Sequence, residues 1–347
     1  METEQRMTPT PTTRRISVAL QGGGSHGAFS WGVIDRLLED ARIEIRGISG
    51  TSAGAMNATV LAYGLVSGGQ NQARRALETF WRRISERAWA SPLRHAWLSP
   101  VTGYANMDLS PAWLIFDFLT RVFSPYQFNP CNLNPLRDVL TETVDFDVLK
   151  RNAGVKLFLC ATNVLSGRIR VFSNKEITVQ TVLASSCLPQ LFQAVEIDGE
   201  YYWDGGYMGN PPIYPLIYET DTRDVLIIRI NPIRIPKVPT TAYEILERVN
   251  TLSFNSSLMR EMRAIDFVSR LIDEGALDSA RYRRMLIHSI DAEGEMSQLG
   301  ASSKFNADWD FLRELFELGR ARADTWLRMN FDALGQRSST NIAETFL

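Results

Sequence analysis

Histidine and cysteine are scarce in this chain, with three of each among 347 residues. The histidines (His26, His95 and His288) are scattered, and no group of potential ligands has metal-site spacing, so no metal is expected. Cys131, Cys160 and Cys187 are odd in number and far apart. Cys160 and Cys187 lie in apolar runs, which suits buried free thiols better than a disulfide framework. No stretch approaches about 20 uncharged apolar residues, so no membrane-spanning helix is expected. The net charge is only −2 and no long basic run occurs, which removes the electrostatic footprint of nucleic-acid binding. No internal repeat is visible. Residues 1–15 are rich in Thr, Pro and charge and lack the apolar centre of a signal peptide. They read as a disordered leader, and the expected address is cytoplasmic.

What is present is the composition of a folded globular protein, 45% hydrophobic and 22% charged. Apolar runs and periodicity predict a strand over 16–21, a helix over 27–40, a strand over 43–49 and a helix over 53–65 rich in small residues. A polar amphipathic helix over 71–87 follows. Further helices are expected over 135–144 and 178–185, and strands over 155–162, 168–172, 194–197, 200–203, 224–230 and 284–289. Asp198-Gly199 between two short strands is a hairpin signal. Ile245 to Ile272 keeps helical spacing, and two helices close the chain. Strands alternating with helices imply an α/β fold, a three-layer α/β/α arrangement around a mainly parallel sheet. Residues 16–215 are expected to form the core and 216–347 a mostly helical continuation of the same domain. Over 88–135 the periodicity blurs and aromatics gather, among them Trp97, Tyr104, Trp113 and Phe116. That segment reads as an insertion whose aromatics fold back on the core, or as a lid or lip touching apolar substrate or membrane through 111–123.

The chemistry concentrates at glycines. Gly50-Thr51-Ser52-Ala53-Gly54 closes an apolar strand-like run, the placement by which a fold exposes a nucleophilic hydroxyl. Gly22-Gly23-Gly24-Ser25-His26-Gly27 ends the preceding strand, and Asp204-Gly205-Gly206 follows the predicted hairpin. A serine needs a base and oxyanion donors. The amides of Ala53 and of the Gly22–Gly24 run could supply the donors, and Ser52 would stand at a helix N-terminus that favours negative charge. The base has three candidates: Asp204, His26 in the glycine loop, and His288, which would complete a Ser52, Asp204, His288 order. His95 has no evident partner. A nucleophile after only two strands is too early for an α/β-hydrolase. A rival reading takes Gly22, Gly24 and Gly27 as a dinucleotide fingerprint with Glu44 as the ribose acid, and so an oxidoreductase. It leaves the serine turn and Asp204-Gly205-Gly206 unexplained. A third reading is a membrane-associated binding protein with a vestigial site.

Taken together, the glycine run, the serine turn and Asp204-Gly205-Gly206 resemble the elements of the patatin-like phospholipase family. Ala184-Ser185-Ser186-Cys187-Leu188-Pro189 is similar to the Ala-Ser-x-x-x-Pro element that precedes the family's Asp-Gly-Gly/Ala motif. The resemblance spans about residues 16 to 215. It implies a patatin-like fold and a Ser52–Asp204 dyad without a catalytic histidine. It further implies an oxyanion loop of Gly22, Gly23 and Gly24 with Ala53, supported by Gly27, Gly50, Gly54, Gly205 and Gly206. The implied activity is metal-independent, cofactor-free hydrolysis of lipid acyl esters. One position departs: the family usually carries Arg or Lys where this chain has His26.

Overall fold

Five apolar strands run parallel through the middle of the fold, and the glycine run and the serine turn follow the C-terminal ends of two of them. The computed structural model describes residues 13–88, 111–151, 154–278 and 280–347. The leader to residue 12, and His95, Trp97 and Tyr104 of the aromatic insertion, lie outside these. Strands β1 (Arg14–Leu20), β2 (Ile43–Gly50), β3 (Lys156–Asn163), β4 (Ile169–Ser173), β5 (Val195–Ile197), β6 (Glu200–Asp204), β7 (Asp224–Ile228) and β8 (Leu286–Ile290) form one sheet in the order β5-β6-β3-β2-β1-β7-β8, with β4 beside β3. The pairs β3/β2, β2/β1, β1/β7 and β7/β8 are parallel, while β4, β5 and β6 add antiparallel pairs. This is the mostly parallel three-layer arrangement expected from the alternation of strands and helices.

Burial on both faces is written into the strands. Ile16, Val18 and Leu20 of β1 join one apolar cluster while Ala19 joins the other, and Leu226 and Ile228 oppose Val225 and Ile227 in the same way. Near-continuous apolar runs of this kind are what a doubly covered parallel strand requires. One face carries α1 (Gly27–Glu39), α2 (Ala53–Ala88) and, later in the chain, α3 (Pro135–Thr143). The other is covered by Leu258, Met262 and Ile265 of α4 (Ala242–Asp273). The last long helix, α5 (Trp309–Asn330), returns to the first face and crosses α1 at two glycines. A Cβ on Gly32 would stand 1.9 Å from the Phe316 carbonyl oxygen, and one on Gly319 2.1 Å from that of Phe29.

Two differences from the sequence reading have local causes. The helices expected over 53–65 and 71–87 are one element, interrupted where Gly68 (φ −174°) and Gly69 (φ +73°) leave helical geometry. The amphipathic segment over 111–123 is a helix (Pro111–Val122) with an inner and an outer side. Trp113 is 5% exposed and packs on Phe116 and Phe305, whereas Ile115 and Phe118 are each 61% exposed. Among the described residues no helix is long and apolar enough to cross a membrane.

Candidate active site

Ser52 occupies the turn between β2 and α2 with φ +56°, a left-handed conformation that a non-glycine residue adopts only when its surroundings impose it. The surroundings are backbone. A Cβ on Gly50 would lie 2.4 Å from the Gly54 carbonyl oxygen, and one on Gly54 2.1 Å from that of Leu20. The two glycines of the pentapeptide therefore let the serine turn press against β1. Gly22 serves the same contact from the other side, since a Cβ there would sit 2.6 Å from the Ser52 Cβ. The Ser52 amide donates to Ser185 Oγ at 3.1 Å, and its residue opens α2, so free amides and the helix dipole favour negative charge at this point.

Asp204 reaches the same place from β6, which lies beyond β3 from the serine strand β2. Asp198 (φ +52°) and Gly199 (φ +80°) turn β5 back into β6, which ends at Asp204. Its amide donates to the Cys187 carbonyl at 2.7 Å, and Thr162 Oγ1 donates to its carbonyl oxygen at 2.9 Å. The Ala184–Pro189 element thus touches both residues, Ser185 on Ser52 and Cys187 on Asp204. A Cβ on Gly205 would meet the Cys160 carbonyl oxygen at 2.2 Å, and one on Gly206 the Phe254 ring at 2.2 Å, so this turn also needs bare backbone.

The Asp204 carboxyl is fully buried. Oδ1 accepts the Gly206 amide at 2.7 Å, and Oδ2 has no hydrogen-bond partner among the described residues. Burial raises its pKa to about 7, opposed by the Gly206 amide and by the neighbouring Ser52 hydroxyl. The hydroxyl is near enough to act on the carboxyl without closing a well-formed hydrogen bond to Oδ2. A carboxyl of this kind is half ionised near neutral pH, where an ordinary aspartate is a poor base.

Four amides were expected around an oxyanion. That of Gly22 donates to Asn210 Oδ1 at 2.7 Å and is already committed, which corrects its place in the set. Those of Gly23, Gly24 and Ala53 have no acceptor among the described residues. The loop is held by polar side chains that sequence reading passed over. Gln21 Oε1 accepts the amides of Ile230 and Asn231, and Asn231 Nδ2 donates to the Gly22 carbonyl at 2.7 Å. Thr51 Oγ1 donates to the Gly209 carbonyl and Ser49 Oγ to that of Pro212, which ties the segment after Asp204 to the serine strand. Loop amides and hydroxyls have no periodicity, so only the nearby Asn-Pro-Pro run at 210–212 hinted at a special turn.

The histidines do not assemble with Ser52. His26 is buried with Nε2 at 2.7 Å from Ser303 Oγ, and burial, with nearby Lys304, lowers its pKa to about 3. It is neutral. His288 lies in β8 with Nε2 at 3.0 Å from Asp224 Oδ1 and Nδ1 at 2.9 Å from Ser339 Oγ. Both ring nitrogens are spent on that buried clamp. Glu44 pairs with Arg15 and Arg46 at the start of β2, beside Arg15 of β1. The glycine loop follows the other end of β1, so the strand spacing of about 3.3 Å per residue separates Glu44 from it by the length of the strand. The dinucleotide fingerprint is thereby broken. No cluster of three potential metal ligands occurs among the described residues.

In front of Ser52 lies a cavity of about 280 Å³. Gly23, Gly24, Asn231 and Lys304 form part of its polar wall, and Trp113, Phe116, Leu188, Leu191, Tyr207 and Phe254 its apolar one. Arg121, also on this wall, is held by both oxygens of Asp117. A family model described as Patatin-like phospholipase matches residues 18–217. No curated protein matches the chain. Among solved structures the chain is similar to VipD from Legionella pneumophila, at 16% identity over 92% of this chain and 67% of that one, with a TM-score of 0.46. It is also similar to a chain of the heterodimeric ExoU–SpcU complex from the type III secretion system of Pseudomonas aeruginosa, at 18% identity over 71% of this chain and 50% of that one, with a TM-score of 0.33. The chain therefore spans about two thirds of the first structure's length and half of the second's.

Proposed function

The chain belongs to the patatin-like phospholipase family, and we propose that it hydrolyses lipid carboxylic esters through an acyl-enzyme on Ser52, with Asp204 as the base. The observation that carries this reading is the buried Asp204 carboxyl, with a pKa of about 7 and an unpartnered oxygen, beside a serine held at φ +56° on a helix N-terminus. As Ser52 Oγ bonds to the ester carbonyl carbon, its proton passes to Asp204 and the carbonyl electron pair collects on oxygen. The amides of Gly23, Gly24 and Ala53 are the donors available to that oxyanion. Collapse breaks the ester C–O bond, and the leaving alcohol or lysolipid takes the proton back from Asp204. Water, giving its proton to the same carboxylate, attacks the acyl-serine; the acyl–Oγ bond breaks, Ser52 Oγ takes the proton back from Asp204, and the fatty acid leaves. No step draws on a metal or cofactor. The aromatic wall of the cavity suits an acyl chain.

In the same reading, residues 16–215 are the catalytic core and 216–347 continue it, in keeping with the pairing of β7 and β8 into the one sheet. The outer face of the helix Pro111–Val122 is the contact with the lipid surface. The test is lipid hydrolysis by the wild type beside Ser52→Ala and Asp204→Asn. Each substitution is expected to lower kcat by about 10³-fold or more with the fold intact. Retained turnover in Asp204→Asn would remove the dyad, and retained turnover in Ser52→Ala the acyl-enzyme.

A further inference from the structure

Three consecutive glycines, Gly22 to Gly24, let the loop after β1 press on the serine turn, but they also leave its peptide planes free to rotate. An oxyanion donor works only when its N–H already points at the oxygen before the charge forms. Each plane of the run therefore needs a holder, and the holders differ. The plane between Gln21 and Gly22 is set by its amide, which donates to Asn210 Oδ1 at 2.7 Å. The plane between Gly23 and Gly24 is set by the chain itself, because the Gly23 carbonyl accepts the His26 amide at 3.3 Å. The plane between Gly22 and Gly23 has no backbone hydrogen bond at either end among the described residues. Its one partner there is Asn231, whose Nδ2 donates to the Gly22 carbonyl at 2.7 Å.

Asn231 is buried, just beyond β7, and lies outside the matched residues 18–217. Its carboxamide has one orientation. Gln21 Oε1, 3.5 Å from Nδ2, is an acceptor like the Gly22 carbonyl, so the nitrogen and not the oxygen must face the pair. Gln21 is fully buried and fixed in turn. Its Oε1 accepts the amides of Ile230 and Asn231 at 2.9 and 3.0 Å. Its Nε2 donates to the Asn210 carbonyl at 3.3 Å and to Asn255 Oδ1 of α4 at 3.2 Å. One glutamine thus steadies both asparagines that grip Gly22, Asn210 on its N–H and Asn231 on its carbonyl.

We propose that Asn231 is a positioning residue, holding the Gly22–Gly23 peptide so that the Gly23 amide faces the reacting carbonyl at Ser52. In a planar trans peptide the carbonyl and the amide that follows it point to opposite sides of the chain. Fastening the Gly22 carbonyl to Asn231 therefore turns the Gly23 N–H away from Asn231. Asn231 is not itself the oxyanion donor, since its two N–H bonds are committed to Gly22 and Gln21. The part in turnover rests on the acyl-hydrolase reading above; the hold on the peptide does not.

The test uses two variants of the full-length chain. Asn231→Asp keeps the shape and removes the donor, and Asn231→Ala removes the donor without adding charge. In both, kcat for p-nitrophenyl butyrate is expected to fall about 10²-fold, as for a lost oxyanion donor, with KM changed by less than about twofold. Affinity for an alkyl trifluoromethyl ketone should fall in the same proportion. Ser52 Oγ bonds to the carbonyl carbon of that probe, its proton passes to Asp204, and the charge collects on the ketone oxygen. The matching alkyl methyl ether, which cannot add, should bind as it does to the wild type. A variant that is merely unstable would lower apparent kcat through its folded fraction yet bind the ketone with parental affinity, and that result overturns the proposal. So does an equal loss of ketone and ether binding. A readout free of catalysis is hydrogen exchange at the Gly22 amide, which should quicken roughly tenfold or more once the peptide is loose. Inert wild type with that quickening would sink the hydrolase reading and support the hold on the peptide. Active wild type with unchanged kcat and exchange in both variants would sink the positioning role alone.

Discussion

At the scale of the residue, Asp204 joins a proposed role as base to a stability cost. Under the proposed mechanism the carboxyl must be ionised to act as base, so with a pKa of about 7 kcat/KM should fall about tenfold per pH unit below a midpoint near 7. A pH–rate profile with its acid limb near 4 would mean that the carboxyl is not desolvated during turnover. The same displacement acts on folding with a definite sign. Unfolded, this carboxyl loses its proton near 3.8; folded, near 7. Between those values the native state binds more protons, so stability falls as pH rises. Above 7 the whole cost stands, at about 1.4 kcal/mol for every tenfold difference in proton affinity between the two states. Asp204→Asn keeps the shape without the charge. It should unfold at a higher temperature than wild type at pH 8 and at nearly the same temperature at pH 4, measured by calorimetry, while being inactive. Ser52 and Asp204 were legible because bare-backbone contacts force glycines around them, and glycine patterns survive in a sequence. Gln21, Ser185, Asn210 and Asn231 were not: they act through single hydrogen bonds across 130 to 210 positions of chain, which leave no spacing to read.

At the scale of the element, the helix Pro111–Val122 shows what periodicity conveys and what it hides. Its apolar content was plain, and a lipid-contacting lip over 111–123 was a fair expectation, with Trp113 and Phe116 as natural candidates. The structure turns those two inward, onto Phe305 and the wall of the Ser52 cavity. Outward stand Ile115, Phe118, Leu119 and Val122, spaced as one helical stripe. Which of two apolar stripes is buried depends on partners far along the chain, and Phe305 lies nearly 190 residues away. The start of α4, which faces the same cavity through Leu246 and Phe254, likewise presents Ile245, Val249 and Leu252 to solvent. The outer stripes are therefore the surface proposed for lipid contact. Phe118→Ser with Val122→Ser should weaken partitioning onto liposomes by roughly tenfold or more, at about 1 kcal/mol for each half-inserted side chain, while turnover of a short soluble ester changes less than twofold. Equal losses on both substrates would place these residues in the core.

At the scale of the whole molecule, the segment beyond residue 217 carries no recognisable motif, yet it closes the fold around the site. It supplies β7, which pairs with the central strand β1, then β8, the His288–Asp224–Ser339 clamp, Asn231 on the glycine loop and Lys304 against Gly24. Without it β1 would be a bare edge and α1 would lose the helix that crosses it. The strands over 224–230 and 284–289 and the helices of this segment were expected, but their pairing and crossing were not visible beforehand, because strand pairing and helix crossing are non-local and are specified by shape complementarity that no short pattern encodes. The crossing offers a test whose sign discriminates. In an exposed helix Gly→Ala gains up to about 1 kcal/mol from propensity and reduced chain entropy. At Gly319 a Cβ would meet the Phe29 carbonyl oxygen at 2.1 Å, and Gly32 lies close on the same seam. Backbone, not a flexible side chain, would have to yield, so α5 must lift from α1. Gly319→Ala is therefore expected to destabilise, by about 1–3 kcal/mol in chemical denaturation, the range of overpacking in a filled core. The separation should also loosen the loop between β1 and α1 that carries Gly23 and Gly24, so lipid hydrolysis should fall with stability. A gain in stability would mean that the two helices do not meet at this seam in solution.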